Sequence, residues 1–289
     1  MSTDILHRFL LETPNVRGAW TSLEQTWQQL STKSNYPPAI KTLLGEALAA
    51  ITLLSTTIKH NGSIILQLRG NGPVHLVVVQ IQANGSVRGL ARWSAIPEDT
   101  RSLNAMMGQG HIAITLEAEK ESERYQGIIA LEGDSLAQAL ENYFQQSEQL
   151  PTRLYLSAND QRCAGILVQR IPESQPDPEN FERVSLLLDT LTPEELLDLA
   201  AAPMLYRLFH EENVRLFNAS PVFFQCTCSV DRIERMLITL GNEEVEAILA
   251  EQGKIDITCE FCNTLYSLDS IDAKHLFLKG VAPINNTLH

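Results

Sequence analysis

The chain has 289 residues and a mass of 32.2 kDa, enough for one large domain or two smaller ones. Apolar residues make up 44% and charged residues 20%, which excludes wholesale disorder, a collagen-like repeat and a disulfide-dense mini-scaffold. The formal net charge is −13, so a polyanionic partner would need a local basic face to bind.

The charge is unevenly placed. Residues 1–172 carry 14 basic and 15 acidic side chains, whereas residues 173–289 carry 8 and 20. The later part therefore repels phosphate backbones and anionic lipid. The start, Met1-Ser2-Thr3-Asp4-Ile5-Leu6, has an early acid and no basic stretch before an apolar core, so no signal peptide is expected. The most apolar helical run, Leu43–Leu54, is interrupted by Gly45 and Glu46 and falls short of a membrane span. A cytoplasmic protein with reduced thiols is expected.

Residues 36–60 read as a helix, opened by Pro37 and Pro38, with Ile40, Leu43, Leu44, Ala47, Leu48, Ile51 and Leu54 at helical spacing. Three strand-like runs follow at Ser63–Arg69, Val74–Gln82 and Ser86–Trp93, separated by Asn71-Gly72 and Asn84-Gly85. Asn-Gly pairs suit tight hairpin turns because both residues tolerate positive φ, so a β-meander is expected. Ile112–Ala118 and Tyr125–Leu131 alternate in the same way. Asp134–Gln146 reads as a helix capped by Asp134, and Leu154–Ser157 and Ala164–Val168 as closing strands. Three prolines within residues 172–178 then break regular structure. Beyond them lie helical patterns at Phe181–Leu191, from Thr192-Pro193-Glu194-Glu195, which fits a capping box, and at Met204–Glu212. Such short helices depend on a neighbour for burial. The expected fold is α+β. A mainly antiparallel core domain (1–178) precedes a metastable helical linker (179–225) and a small C-terminal domain (226–289) that holds four of the five cysteines.

Four of the five cysteines form two close pairs, Cys226-Thr227-Cys228 and Cys259-Glu260-Phe261-Cys262, separated by the 30 residues 229–258. Zinc prefers four thiolates in a tetrahedron, often supplied as two chelating arms. Helical patterns at Asp231–Leu240 and Glu243–Gln252, joined at Gly241-Asn242, can return the chain so that the arms meet. Closing that loop costs a few kcal/mol, against about 10–16 kcal/mol from structural zinc in small modules. A dithiol redox site at Cys259–Cys262 alone is the rival, but it lacks a βαβ setting and leaves the other pair unexplained. Cys163 reads as a buried small hydrophobe and His275 as a surface histidine.

With those cysteines, Asn142-Tyr143-Phe144, Ser147-Glu148-Gln149-Leu150-Pro151-Thr152-Arg153 and Leu205-Tyr206-Arg207-Leu208-Phe209-His210-Glu211-Glu212, the chain resembles the heat-shock protein 33 family over essentially its whole length. Cys163 matches no cysteine of that family. The resemblance implies a redox-regulated, ATP-independent holdase rather than an enzyme. It would be idle when reduced and zinc-bound, would act on unfolded client proteins, and would be a homodimer when oxidised. It implies Cys226, Cys228, Cys259 and Cys262 as zinc ligands and Cys226–Cys228 and Cys259–Cys262 as the redox-active disulfides. Because a Cys-x-x-Cys turn reaches disulfide geometry more easily than Cys-x-Cys, Cys259–Cys262 is expected to form first. Alternatives are a structural zinc module for nucleic-acid binding or assembly, and a thiol–disulfide oxidoreductase. Between Cys226 and Cys262 the basic residues are Arg232, Arg235 and Lys254 against eight acids, so neither nucleic acid nor membrane is expected as a partner.

Overall fold

The computed structural model describes residues 4–57, 62–95, 102–118, 124–172 and 178–279. The chain divides into two compact units, Met1–Gln225 and Cys226–His289. The first opens with β1 (Ile5–Leu11), β2 (Val16–Leu23), α1 (Gln25–Ser31) and α2 (Pro38–Leu54). The meander β3 (Ser63–Gly70), β4 (Val74–Gln82) and β5 (Ser86–Trp93) follows as the alternation predicts. Next come α3 (Leu103–Met107), β6 (Gly110–Glu117), β7 (Arg124–Ala130), α4 (Leu136–Tyr143), β8 (Thr152–Ala158) and β9 (Cys163–Arg170). The unit ends with α5 (Pro178–Leu188), α6 (Pro193–Asp198), α7 (Ala201–Phe209) and the short strands β10 (Val214–Leu216), β11 (Ser220–Pro221) and β12 (Phe223–Phe224). The second unit holds α8 (Val230–Leu240), α9 (Asn242–Gln252), β13 (Ile255–Thr258), β14 (Leu265–Leu268) and α10 (Ser270–Lys279).

The fold is α+β, with mainly antiparallel pairing. One six-stranded sheet runs β10-β1-β2-β9-β8, with β11 also on β1; the other runs β12-β5-β4-β3-β6-β7. Only β12 on β5 is parallel among the described pairs. α2 lies between the sheets, against β2, β8 and β9 on one side and β3, β4 and β5 on the other. Twelve of its 17 residues are buried, so its apolar character all round reflects a core position. Gly45 sets the approach: a Cβ there would lie 2.5 Å from Ala158 Cβ. No described helix is long and apolar enough to cross a membrane.

The other face of the first sheet carries Phe9, Leu11, Val16, Trp20, Ala164, Ile166 and Val168. The helices α5, α6 and α7 cover it through Val184, Leu188, Leu196, Leu197, Met204, Leu205 and Leu208, with Leu191 from the α5–α6 turn. These apolar residues of the helical patterns over residues 181–212 therefore pack on the sheet. The capping box at Thr192 and Glu195 is present.

Local details depart from the sequence reading. The helix expected over 36–60 ends at Leu54 in a Ser-Thr-Thr turn, and residues 58–60 lie outside the described residues, as do 173–177 of the proline-rich stretch. Ser135, not Asp134, caps α4, accepting from the Gln138 amide; α4 then passes into a π-helical turn at Phe144–Glu148. Of the two Asn-Gly turns, only Gly85 uses positive φ (86°). Asn71 instead accepts from the Gln109 amide at 2.9 Å, and Gly72 admits α3, where a Cβ would lie 2.6 Å from the Met106 carbonyl oxygen.

Asp4 has a structural role that the sequence did not reveal. Its buried carboxylate accepts from the amides of Glu24, Gln25 (3.1 Å) and Thr26 (2.8 Å) and from the Thr26 hydroxyl (2.8 Å). It thus caps α1 from a distant strand. Asp4→Ala leaves buried amides unpaired and is expected to cost about 2–4 kcal/mol. Urea unfolding followed by tryptophan fluorescence reads this directly, since all three tryptophans lie in the first unit. An unchanged midpoint contradicts the cap.

Glu46 borders a cavity of about 290 Å3 that it shares with Glu141 and Arg153. Burial pushes its carboxyl up to about 7 from the ordinary 4.5. The unfolded chain then ionises Glu46 first, the native state holds the extra proton between those values, and stability falls as pH rises through that window. Glu46→Gln removes the cost and is expected to stabilise by about 1–3 kcal/mol at pH 8 with little gain at pH 5. Equal gains at both pH values refute it.

Candidate metal centre

The second unit has a small apolar core of Leu237, Val245, Ile255, Leu268, Ala273 and Leu276. α8 and α9 match the helical hairpin read from the sequence and meet at Gly241, whose φ of 101° suits glycine. The hairpin β13–β14 and α10 are additions that the sequence reading missed. Ser229 caps α8 by accepting from the Arg232 amide at 3.3 Å. Cys226 and Cys228 therefore sit on the extended lead-in to a fixed helix start.

Cys259 and Cys262 lie in the turn of the β13–β14 hairpin. The Cys259 amide donates to the Thr264 carbonyl at 2.9 Å, and the Asn263 amide to the Cys259 carbonyl at 2.7 Å. Asn263 takes φ of 57°, as asparagine tolerates. This turn aims both thiols at the first arm.

All four sulfurs lie within 4.8 Å of one another. Cys226 Sγ is 3.6 Å from Cys259 Sγ, and Cys228 Sγ is 3.4 Å from Cys262 Sγ. A tetrahedral zinc–thiolate site has sulfur–sulfur edges of about 3.8 Å, from bonds of about 2.3 Å. The donor set and spacing thus fit a tetrahedral metal ion, and Cys226, Cys228, Cys259 and Cys262 can hold one. Each is half-buried, so the sulfurs stay within reach of small solutes.

The electrostatics of the cluster are asymmetric. Burial raises the Cys226 thiol to about 12. Burial also opposes the Cys262 thiolate, but the Thr264 hydroxyl and amide and the sulfurs of Cys228 and Cys226 outweigh it and bring the group down to about 6. Cys262 therefore ionises more readily than Cys226 or Cys228. Tyr266 donates its phenol hydrogen to Cys228 Sγ at 3.0 Å, which raises the phenol to about 12 and steadies the sulfur. No sequence signal marked Tyr266, because β14 brings it to the opposite arm only after the hairpin forms.

The remaining candidates lie outside the cluster. His275 is exposed on α10. Cys163 is fully buried on β9, and desolvation followed by the Asp4 carboxylate pushes its thiol well above the ordinary value. It is an inert core residue.

A family model described as Hsp33 protein matches residues 4–269. The 33 kDa chaperonin of Shewanella loihica is 48% identical over 277 residues, covering 96% of each chain. That of Nitrosococcus oceani is 46% identical over 288 residues, covering 99% of each, and that of Vibrio cholerae is 43% identical over 293 residues, covering all of both. The crystal structure of the 33 kDa chaperonin from Thermotoga maritima superposes with a TM-score of 0.87 at 20% identity, over 98% of this chain and 100% of that one, and so shares the fold. A matching fold, a cluster of four cysteines and relatives this similar along the whole chain lead to one conclusion: the protein belongs to the Hsp33 family.

Proposed function

We propose that the protein is a cytoplasmic, ATP-independent holdase chaperone whose client-binding surface is released by oxidation of a zinc-bound four-cysteine switch. The observation that carries this reading is the sulfur cluster of Cys226, Cys228, Cys259 and Cys262, within 4.8 Å, in a chain of this family. Bound zinc would keep the four side chains as thiolates and tie the two arms together. Thiolates are the form that oxidants attack.

A cysteine thiolate attacks one oxygen of hydrogen peroxide, the O–O bond breaks, and a sulfenic acid and hydroxide result. A second thiolate attacks the sulfenic sulfur, closing the disulfide and expelling another hydroxide. Two electrons pass from the sulfurs to the peroxide. The proposed bridges are Cys259–Cys262, formed first, and Cys226–Cys228. Both lie within an arm, so their formation dismantles the ligand set and frees the arms from each other.

The segment before the cluster is suited to follow. The strands β10, β11 and β12, which tie residues 214–224 to the sheets, are three, two and two residues long. The helices α6 and α7 are six and nine residues long, below the length at which isolated helices persist in water. Their cover also leaves Trp20 Nε1 buried without a hydrogen-bond partner among the described residues, a cost of about 1–3 kcal/mol. Undocking of residues 179–225 would bare Phe9, Leu11, Val16, Trp20, Ile166 and Val168 together with the helices' own apolar faces. That surface would hold unfolded clients without catalysis. The acidic later part would keep the complexes soluble, and the oxidised chains would pair as homodimers.

Light scattering of a chemically unfolded client tests the function. Reduced, zinc-loaded protein is expected to leave aggregation unchanged, and protein treated with peroxide at mild heat to suppress it. Suppression in neither state favours a structural metal module; suppression in both removes redox control.

Mass mapping after brief, mild oxidation tests the order of bridges, with Cys259–Cys262 expected alone at early times. Early Cys226–Cys228 reverses the order. The cross-arm bridges Cys226–Cys259 and Cys228–Cys262 would lock the arms together and defeat the release mechanism.

A further inference from the structure

A second cavity, of about 250 Å3, lies between the end of α2 and the β10-β1-β2 edge of the first sheet. Arg8 and Arg17 line it together with Leu10, Leu167 and Phe217. The strand register explains the grouping. Leu10 pairs with Arg17, and Arg8 with Ala19, which in turn pairs with Leu167. Alternation along β1, β2 and β9 therefore puts these side chains on one face.

Arg8 and Arg17, like Arg69, Arg170 and Arg235, form no ion pair among the described residues, and what sets them apart is the cavity they share. Arg153, Arg162, Arg183, Arg207 and Arg215 each meet a carboxylate. Among the described residues, neither Arg8 nor Arg17 has a carboxylate partner, although acids outnumber bases by 35 to 22. Arg17 donates from Nε (3.0 Å) and one terminal nitrogen to the neutral amide oxygen of Gln169. The Gln169 amide nitrogen donates onward to Thr152 Oγ1 at 2.8 Å. This relay fixes the guanidinium but leaves its charge uncompensated, and burial lowers the Arg17 pKa. Arg8 stacks on Phe217, its Cζ 6.0 Å from the ring centroid, and that contact holds it at the cavity mouth.

Helix capping does not account for them. The last four carbonyls of α2 are already taken: Ile51 by the Ser55 amide, Thr52 by the Ser55 hydroxyl, and Leu53 and Leu54 by the amides and hydroxyls of Thr56 and Thr57.

We infer that this cavity is a binding site for a small organic carboxylate with an apolar body, its charge held by Arg8 and Arg17 and its body by Leu10, Leu167 and Phe217. Two guanidiniums on one side match a carboxylate in charge and fork geometry. The aliphatic and aromatic wall excludes a purely inorganic anion as the best fit, because such an ion leaves that wall bare. A neutral ring leaves both cations unpaired.

Benzoate, titrated into the reduced full-length chain and followed by calorimetry and amide NMR, is the probe. Binding is expected with a dissociation constant in the millimolar range or tighter, with shifts confined to β1, β2, β9, the end of β10 and the end of α2. Benzyl alcohol, the same ring without the charge, is expected to bind at least about tenfold more weakly. Arg8→Gln and Arg17→Gln are each expected to weaken benzoate about 10- to 100-fold. Arg17→Lys, which keeps the charge and loses the fork, is expected to fall between. The melting temperature of each variant certifies the fold, and since the readout is binding, its outcome is independent of chaperone activity. No benzoate binding up to about 10 mM, undiminished binding in both glutamine variants, or tighter binding of inorganic phosphate than of benzoate overturns the inference.

Discussion

A β-sheet with apolar side chains on both faces must be covered twice, and the first sheet of this protein meets that demand with two different kinds of partner. One face rests on α2, a long helix buried between the two sheets and pinned by the Gly45 contact to β8. The other rests on α5, α6 and α7, which are short and joined by turns. The first cover is part of the core and cannot leave without unfolding the unit. The second is held by one apolar layer and a few surface ties, such as Arg207 to the Thr190 carbonyl at 2.9 Å. Exposed ties of this kind contribute little individually. The asymmetry is what the proposed mechanism uses: one face stays covered and the other would be bared.

The small second unit has a different balance. Its core of six buried side chains is modest, and two of its elements are hairpin strands of four residues. Units of this size generally need a staple. Four sulfurs converging from a helix lead-in and a hairpin turn can supply one, because a metal ion contributes more than the loop closure costs. A unit stabilised in that way inherits the chemistry of its ligands: what changes the sulfurs changes the fold. In the proposed switch, oxidation acts on stability.

The same electrostatic economy runs through the rest of the molecule. Buried carboxylates are satisfied where they organise the chain, as Asp4 is by three amides and a hydroxyl. At Glu46, half-buried beside a cavity, desolvation shifts the proton equilibrium instead. Arg8 and Arg17 are the converse case, cations placed beside an apolar cavity without a carboxylate among the described residues. Both kinds of exception mark positions where the environment, not the residue type, sets the chemistry.

The sequence by itself determined the features carried by local patterns. The cysteine pairs singled out the four side chains that cluster, since two short-spaced thiol pairs fit a tetrahedron whatever the intervening path. The alternation of β3, β4 and β5 and the periodicity of α2, α8 and α9 were equally legible, because each element's burial pattern repeats within a few residues. The strands β1 and β2 were not legible. Their runs, with His7, Arg8 and Gly18 in them, lack a clean alternation, and β2 becomes a central strand only by pairing with the distant β9. The strands β10, β11 and β12 are too short to carry a period. Tertiary structure alone decided that Asp4 caps α1, that Tyr266 reaches Cys228, that the leucines of α5 and α6 lie on the sheet, and that Arg8 and Arg17 share a cavity. Each of these contacts joins residues far apart in sequence or on separate strands, and no local propensity encodes the partner.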